Sequence, residues 1–127
     1  MTAGELRTKI RIEDRVLNPD GQPTSNGYDT EEWSNIDSTE WRYCRWKDAY
    51  GSESLIADQS GIERLATCII RYTPKLTATC RVFLESEVRA AKDAGTEARP
   101  YEVFGIHPLE QDHHWLEFKV QRRDVSI

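Results

Sequence analysis

At 127 residues the chain has room for one hydrophobic core, so a single domain over residues 1–127 is expected. It carries 17 Lys and Arg against 22 Asp and Glu, and the resulting net charge of −5 opposes unaided adhesion to a nucleic-acid backbone. Charged residues make up 31%, yet four Trp, five Tyr and three Phe supply enough bulky apolar surface to exclude a disordered chain.

The first element is a strand. Leu6, Thr8, Ile10 and Ile12 fall on one face while Arg7, Lys9, Arg11 and Glu13 fall on the other, the period of two that a half-buried strand requires. From Leu17 to Tyr28 turn formers accumulate, including Asp20-Gly21 and Asn26-Gly27, which predicts a long exposed hairpin loop. Between Thr39 and Lys47 the residues Trp41, Tyr43, Cys44 and Trp46 put bulk on both faces, so this strand is expected to be central and covered on both sides. Ser52, Glu53, Leu55, Ile56 and Gly61 give a capped start, an acidic first turn and a glycine stop, the marks of one short helix over residues 51–61.

Residues 65–72 and 78–84 are rich in β-branched and apolar side chains on either side of Pro74, and they read as a hairpin. Residues 86–100 combine charges with alanines and with Gly95, which predicts a protruding, mobile excursion holding a turn or two of helix. Two closing strands follow at 101–106 and 115–121, the latter with Leu116, Phe118 and Val120 on one face and Glu117 and Lys119 on the other. The expected class is mainly β: a small antiparallel β-barrel with one short helix and two long loops, 20–35 and 86–100.

Cys44, Cys68 and Cys80 are odd in number and widely spaced, so they are expected to be reduced core fillers of a cytosolic product. No stretch approaches the roughly 18 apolar residues of a membrane span, and Met1 to Glu5 lacks the regions of a signal peptide, so no membrane crossing is expected. His107, His113 and His114 lack ligand spacing, because adjacent histidines in a strand point to opposite faces, and no metal or other cofactor is expected. The sequence contains no Gly-x-Ser-x-Gly turn and no phosphate loop, while Glu31-Glu32 and Glu13-Asp14 read as solvated pairs, so no catalytic residues are assigned. Arg7, Lys9 and Arg11 form a basic ridge, for which cross-strand ion pairing outweighs a nucleic-acid groove because Glu5, Glu13 and Asp14 interrupt it. Arg71 is expected in a salt bridge at the barrel rim, beside Tyr72 as a core aromatic.

Taken in order, Ala3-Gly4-Glu5-Leu6-Arg7-Thr8-Lys9-Ile10-Arg11-Ile12, Asp20-Gly21 with Trp33, Gly51-Ser52-Glu53 with Ala57, Ile69-Ile70-Arg71-Tyr72, Arg81-Val82, Tyr101-Glu102-Val103 and Leu116-Glu117-Phe118 resemble the head-tail joining family of tailed bacteriophages, the head-closure or stopper proteins. This chain departs from the family in placing Tyr43-Cys44 where a Trp-Ala pair is usual, and in the length of residues 20–35 and 86–100.

The resemblance implies a virion protein assembled in the host bacterial cytoplasm and located in the neck. It implies a ring, commonly of twelve copies, docked under the portal and adaptor ring, with a tail terminator or tail tube beyond it and packaged double-stranded DNA passing through without sequence-specific binding. Gly4, Leu6, Arg7, Ile10, Arg71, Tyr72, Arg81 and Tyr101 are then mainly structural. Asp20, Gln22, Asn26, Tyr28, Asp29, Asp48, Tyr50 and Glu53 are candidates for a channel or ring-contact loop, and Arg89, Lys92, Asp93 and Arg99 for contact with a neighbour or the tail side. A dozen copies at −5 would carry about −60, so an acidic lumen would repel the duplex during ejection. The alternatives are a tail terminator or tail-completion protein of similar fold, and a small β-barrel that binds single-stranded nucleic acid.

Overall fold

The computed structural model describes residues 3–17, 32–49, 61–108 and 114–123. A 3-10 turn at Ala3–Glu5 leads into strands β1 (Thr8–Arg15), β2 (Trp33–Asn35), β3 (Arg42–Asp48), β4 (Ile62–Arg71) and β5 (Arg81–Leu84). Helix α1 (Glu85–Ala94) follows, then β6 (Tyr101–Pro108) and β7 (Trp115–Arg123).

All pairings are antiparallel, and six strands close on themselves in the order β1, β3, β4, β7, β6, β5 and back to β1. Closure removes the open sheet edges that invite edge-to-edge pairing. Strand β2 is the extra one. Its register on β1, Glu13↔Asn35 to Arg15↔Trp33, continues through Ile36 N–H to the Ile12 carbonyl at 3.0 Å, and β3 takes over at Ile10↔Arg42. So β2 and β3 are two parts of one strand interrupted by a short excursion, which Asn35 Nδ2 ties down by donating to the carbonyls of Thr39 and Glu40.

Alternation decides what fills the barrel. Inward positions are Ile10 and Ile12 on β1, Cys44 on β3, Ala66, Cys68 and Ile70 on β4, Val82 and Leu84 on β5, Tyr101 and Val103 on β6, and Leu116, Phe118 and Val120 on β7, all buried. Each large side chain among them contributes roughly 1.5–3 kcal/mol by leaving water. On β6 the register slips by one residue between Phe104 and His107, and Gly105 sits there at φ +60°. That bulge returns Ile106 to the inward side, where it packs against the core; strict alternation would have turned it outward.

All three cysteines are free and buried, as their spacing predicted. Burial, then the nearby Cys44, pushes the Cys68 thiol well up, and burial also raises Cys80.

Four expectations change. Residues 65–72 and 78–84 do not form a hairpin, because both edges of β4 are occupied by β3 and β7 while β5 pairs with β1 and β6. The connection instead runs across one end of the barrel and buries Leu76 and Cys80 in the core. Strand β3 lies within the sheet but is not covered on both sides: Cys44 and Trp46 face inward, whereas Tyr43 is 54% exposed, since nothing among the described residues packs over it. Tyr72 is not a core aromatic but an exposed one beyond the end of β4, and Arg71 stacks on Trp115 at 5.3 Å. Residues 86–100 do not simply protrude, because α1 starts directly from β5 and lies against β1 and β5. Gly95 does end this helix, at φ +73°, with its own N–H bonded to the Lys92 carbonyl and that of Thr96 to the Ala91 carbonyl. Of the short helix expected over residues 51–61 only the closing Gly61 is described, in a turn at φ +76° just before β4, and the tip of the first hairpin lies outside the described residues.

Candidate functional site

One mouth of the barrel is formed by the start of β1, β4 and β6 and the end of β3, β5 and β7. Following the inward positions of β4 toward it, Ile70, Cys68 and Ala66 give way to Arg64, and on β7 Phe118 and Val120 give way to Arg122. The core therefore ends in two guanidinium groups, which buried surroundings tolerate only with partners. Arg64 grips Asp48 of β3 with two bonds, Nε to Oδ1 at 2.8 Å and Nη2 to Oδ2 at 3.1 Å. Its Nη1 donates to the Tyr101 hydroxyl at 3.2 Å, and that hydroxyl donates to Glu87 of α1 at 3.1 Å. Arg122 joins Glu87 at 3.1 Å to Glu63 at 2.8 Å, and Arg99 donates to the same Glu63 oxygen at 2.8 Å.

The ring of Tyr101 sits beneath this chain of charges, edge-on to Trp46 at 5.2 Å and under the Arg122 guanidinium at 4.6 Å. Burial, then the Glu87 carboxylate, push the Tyr101 hydroxyl up to about 12. The hydrogen bonds from Arg64 hold the Asp48 carboxyl below its ordinary range. Three acids and three arginines alternate here, so this chain of charges is itself neutral, and it ties five strands and segments to α1.

The opposite mouth is held differently. Glu13 accepts from Arg81 at 2.8 Å and faces Arg11 Nε at 3.0 Å, while Arg81 stacks on Trp33 at 4.1 Å. Lys9 lies 3.6 Å from Glu85, so ion pairing accounts for Lys9 and Arg11 of the basic ridge; Arg7 only donates its Nε to the Gly4 carbonyl.

The residues singled out in the sequence separate. Asp48 is fixed in the polar mouth, and Arg99 turns toward it. On α1, Arg89 pairs with Glu85, while Lys92 and Asp93 are exposed. Ile10 and Tyr101 are core, Leu6 is half-buried, and Gly4 belongs to the 3-10 turn. Asp20, Gln22, Asn26, Tyr28, Asp29, Tyr50 and Glu53 lie outside the described residues. Sequence reading missed Glu63, Arg64, Glu87 and Arg122, although the inward parity of Arg64 and Arg122 was a usable signal. His107 lies 3.4 Å from Glu117, and among the described residues no three His, Cys, Asp or Glu are grouped to hold a metal ion.

Charge is partitioned along the chain. All 17 Lys and Arg lie in the described residues, together with 14 of the 22 acids, so the barrel and its helix carry +3. The remaining eight acids, Asp20, Asp29, Glu31, Glu53, Asp58, Glu110, Asp112 and Asp124, belong to residues 18–31, 50–60, 109–113 and 124–127, which contain no Lys or Arg. The protein is acidic because of those segments alone. The described flanks of 18–31 and 109–113 stand at one mouth, and those of 50–60 stand at the other.

The family model of the phage head completion protein matches residues 1–123. The chain belongs to the phage head completion protein family. Head completion proteins are structural parts of the virion and associate with other virion proteins, and that is the coarse function of this chain. Among solved structures, a chain in the virion of a native gene transfer agent particle is 11% identical, with a TM-score of 0.52 over 94% of this chain and 97% of that one. Protein SF1141 from Shigella flexneri 2a, a solution structure, is 18% identical, with a TM-score of 0.54 over 99% of this chain and 98% of that one. At these identities the likeness is one of fold, and it covers the whole barrel. A search of curated protein sequences finds no match.

Proposed function

We propose that this head completion protein forms a ring, commonly of twelve copies, under the portal and adaptor, where it closes the filled head, retains the packaged DNA and presents the platform on which the tail docks. The observation that carries this reading is the family match over residues 1–123. A closed barrel suits the role, since among the described residues its six strands leave only the three-residue β2 as an edge with which to polymerise outside the ring.

The charge partition refines how such a ring meets DNA. The excess negative charge belongs to residues 18–31, 50–60, 109–113 and 124–127, so any of these reaching the channel brings acids and no Lys or Arg, while the described residues are net basic. Residues 20–35 and 47–51, the latter leading into the expected helix, are the two gating candidates, and their described parts stand at opposite mouths. The exposed side of α1, with Lys92 and Asp93, is the candidate contact for a neighbouring copy or the tail side.

The test uses DNA-filled heads prepared without this protein. Adding the purified protein is expected to stop DNA leakage, and deleting the loop of 20–35 or that of 47–51 is expected to restore leakage for whichever segment gates. Heads that leak equally with and without the protein would refute the DNA-retention role.

A further inference from the structure

We propose that the outer face of β1, β3, β4 and β7 is a binding surface for the phosphate backbone of duplex DNA. The surface stands on its own geometry; its use, holding DNA within a neck ring, rests on the function proposed above.

The sheet registers set the side chains in rows across the strands. Lys9 lies opposite Tyr43, and the β3–β4 register carried two residues further brings Arg71 to the other side of Tyr43. In the next row the β1–β3 register, carried one residue before β1, brings Arg7 opposite Arg45, which in turn faces Ile69. Lys47 and Lys119 both pair with Thr67 in a third row. Adjacent strands are about 4.8 Å apart, so four strands span about 15 Å. Duplex DNA presents one negative charge per roughly 1.7 Å of axis, so this width faces on the order of nine phosphates.

In these three rows six cations share the face with a single acid, Glu117, which already has His107 at 3.4 Å. Further along, Glu13 of β1 and Glu40 are engaged by Arg11 and Arg81, and Glu63 at the start of β4 by Arg99 and Arg122. From the side, α1 offers Glu85, 3.6 Å from Lys9 and also paired with Arg89. Arg7, Lys9, Arg45 and Arg71 carry the surface. Arg45 is exposed and has no acidic partner among the described residues, Arg71 lies on Trp115, and Lys9 is 5.4 Å from the Tyr43 ring. Lys47 and Lys119 add charge while engaged in interactions of their own. The net −5 of the chain is not the charge of the barrel, since the described residues sum to +3. Nothing on the face reads bases, so the expected binding is independent of sequence.

Fluorescence anisotropy of a labelled duplex of arbitrary sequence, titrated with the full-length protein, tests the surface. Four phosphate contacts predict a slope of log affinity on log salt of roughly −3.6, a weakening of about 100-fold between roughly 50 and 200 mM salt. The double variant Lys9→Glu and Arg45→Glu, shown by circular dichroism to keep its fold, is expected to lose at least tenfold in affinity at the lower salt. Lys75→Glu, in the exposed connection between β4 and β5 and outside these rows, is expected to bind as the wild type does. Three results would overturn the assignment: no duplex binding at low salt, equal binding by the double variant, or tighter binding of a single strand of the same length, which would point to base stacking on Tyr43. Addition of a ring's mass to a portal and adaptor assembly is scored separately, so failure there removes the neck function and leaves the phosphate surface to its own test.

Discussion

Replacing Tyr101 with Phe removes one oxygen from the polar mouth and leaves the ring that fills the barrel beneath it. The lost hydroxyl donates to Glu87 at 3.1 Å and accepts from Arg64 at 3.2 Å. A hydrogen bond to a charged partner contributes about 1.5–3 kcal/mol, but here the partners retain one another, with Arg122 3.1 Å and Arg64 3.5 Å from Glu87, so the net cost is about 1–2 kcal/mol. Tyr101→Ala also forfeits the contacts with Trp46 and Arg122 and leaves a cavity, and it should cost about 3–5 kcal/mol. Urea unfolding followed by Trp fluorescence at neutral pH measures both.

The same pair separates hydroxyl from packing through pH. The folded-state value of Tyr101 is raised to about 12 from an ordinary 10, so its stabilisation is fully present below pH 10 and is lost as pH rises through 12. Two units correspond to about 3 kcal/mol, a loss that Tyr101→Phe cannot show, so the Phe variant should overtake the wild type in the upper part of that window. Stability curves that stay parallel from neutral pH to pH 12, or a Phe variant as unstable as the Ala variant, would refute the placement of this hydroxyl.

Asp48→Asn should cost less than about 1 kcal/mol near neutrality, since the pair with Arg64 is half-exposed. Because the Asp48 value is lowered, its contribution is present above the ordinary carboxylate range and lost as pH falls through the folded value, so the variant should show a flatter acid limb in urea unfolding. Gly105→Ala should destabilise by about 1–2 kcal/mol from its positive φ alone, because an added Cβ would meet Lys119 at an ordinary 3.8 Å; an unchanged denaturation midpoint would contradict the bulge. An aromatic disulfide reagent should label no cysteine in the folded protein and all three in denaturant, and rapid labelling of the native state would contradict their burial.

Strands β1 and β7 were legible because each has one wet and one dry side, so alternation alone names their inward residues. The pairing of β5 was not, because Pro74 between two apolar runs resembles a hairpin locally, and only closure of the barrel sends β5 to β1. Tyr43 and Tyr72 were placed by bulk rather than by layer, and among the described residues the one outer element, α1, lies over β1 and β5 and leaves both exposed. The polar mouth was hidden for a related reason. Arg64 looks like one more surface charge until the parity of Ala66, Cys68 and Ile70 is carried one step further, and its partners come from β3, β6 and α1, far apart in the chain. The total charge, read as a uniform −5, concealed a basic barrel bearing acidic connections.

The most direct test of the neck assignment is the mass of a purified portal and adaptor assembly before and after addition of this protein, beside the mass of the protein alone. The account predicts an increase equal to a complete ring of 14.7 kDa subunits, whether or not the free protein is monomeric. An assembly whose mass does not change, with the protein monomeric throughout, would contradict it.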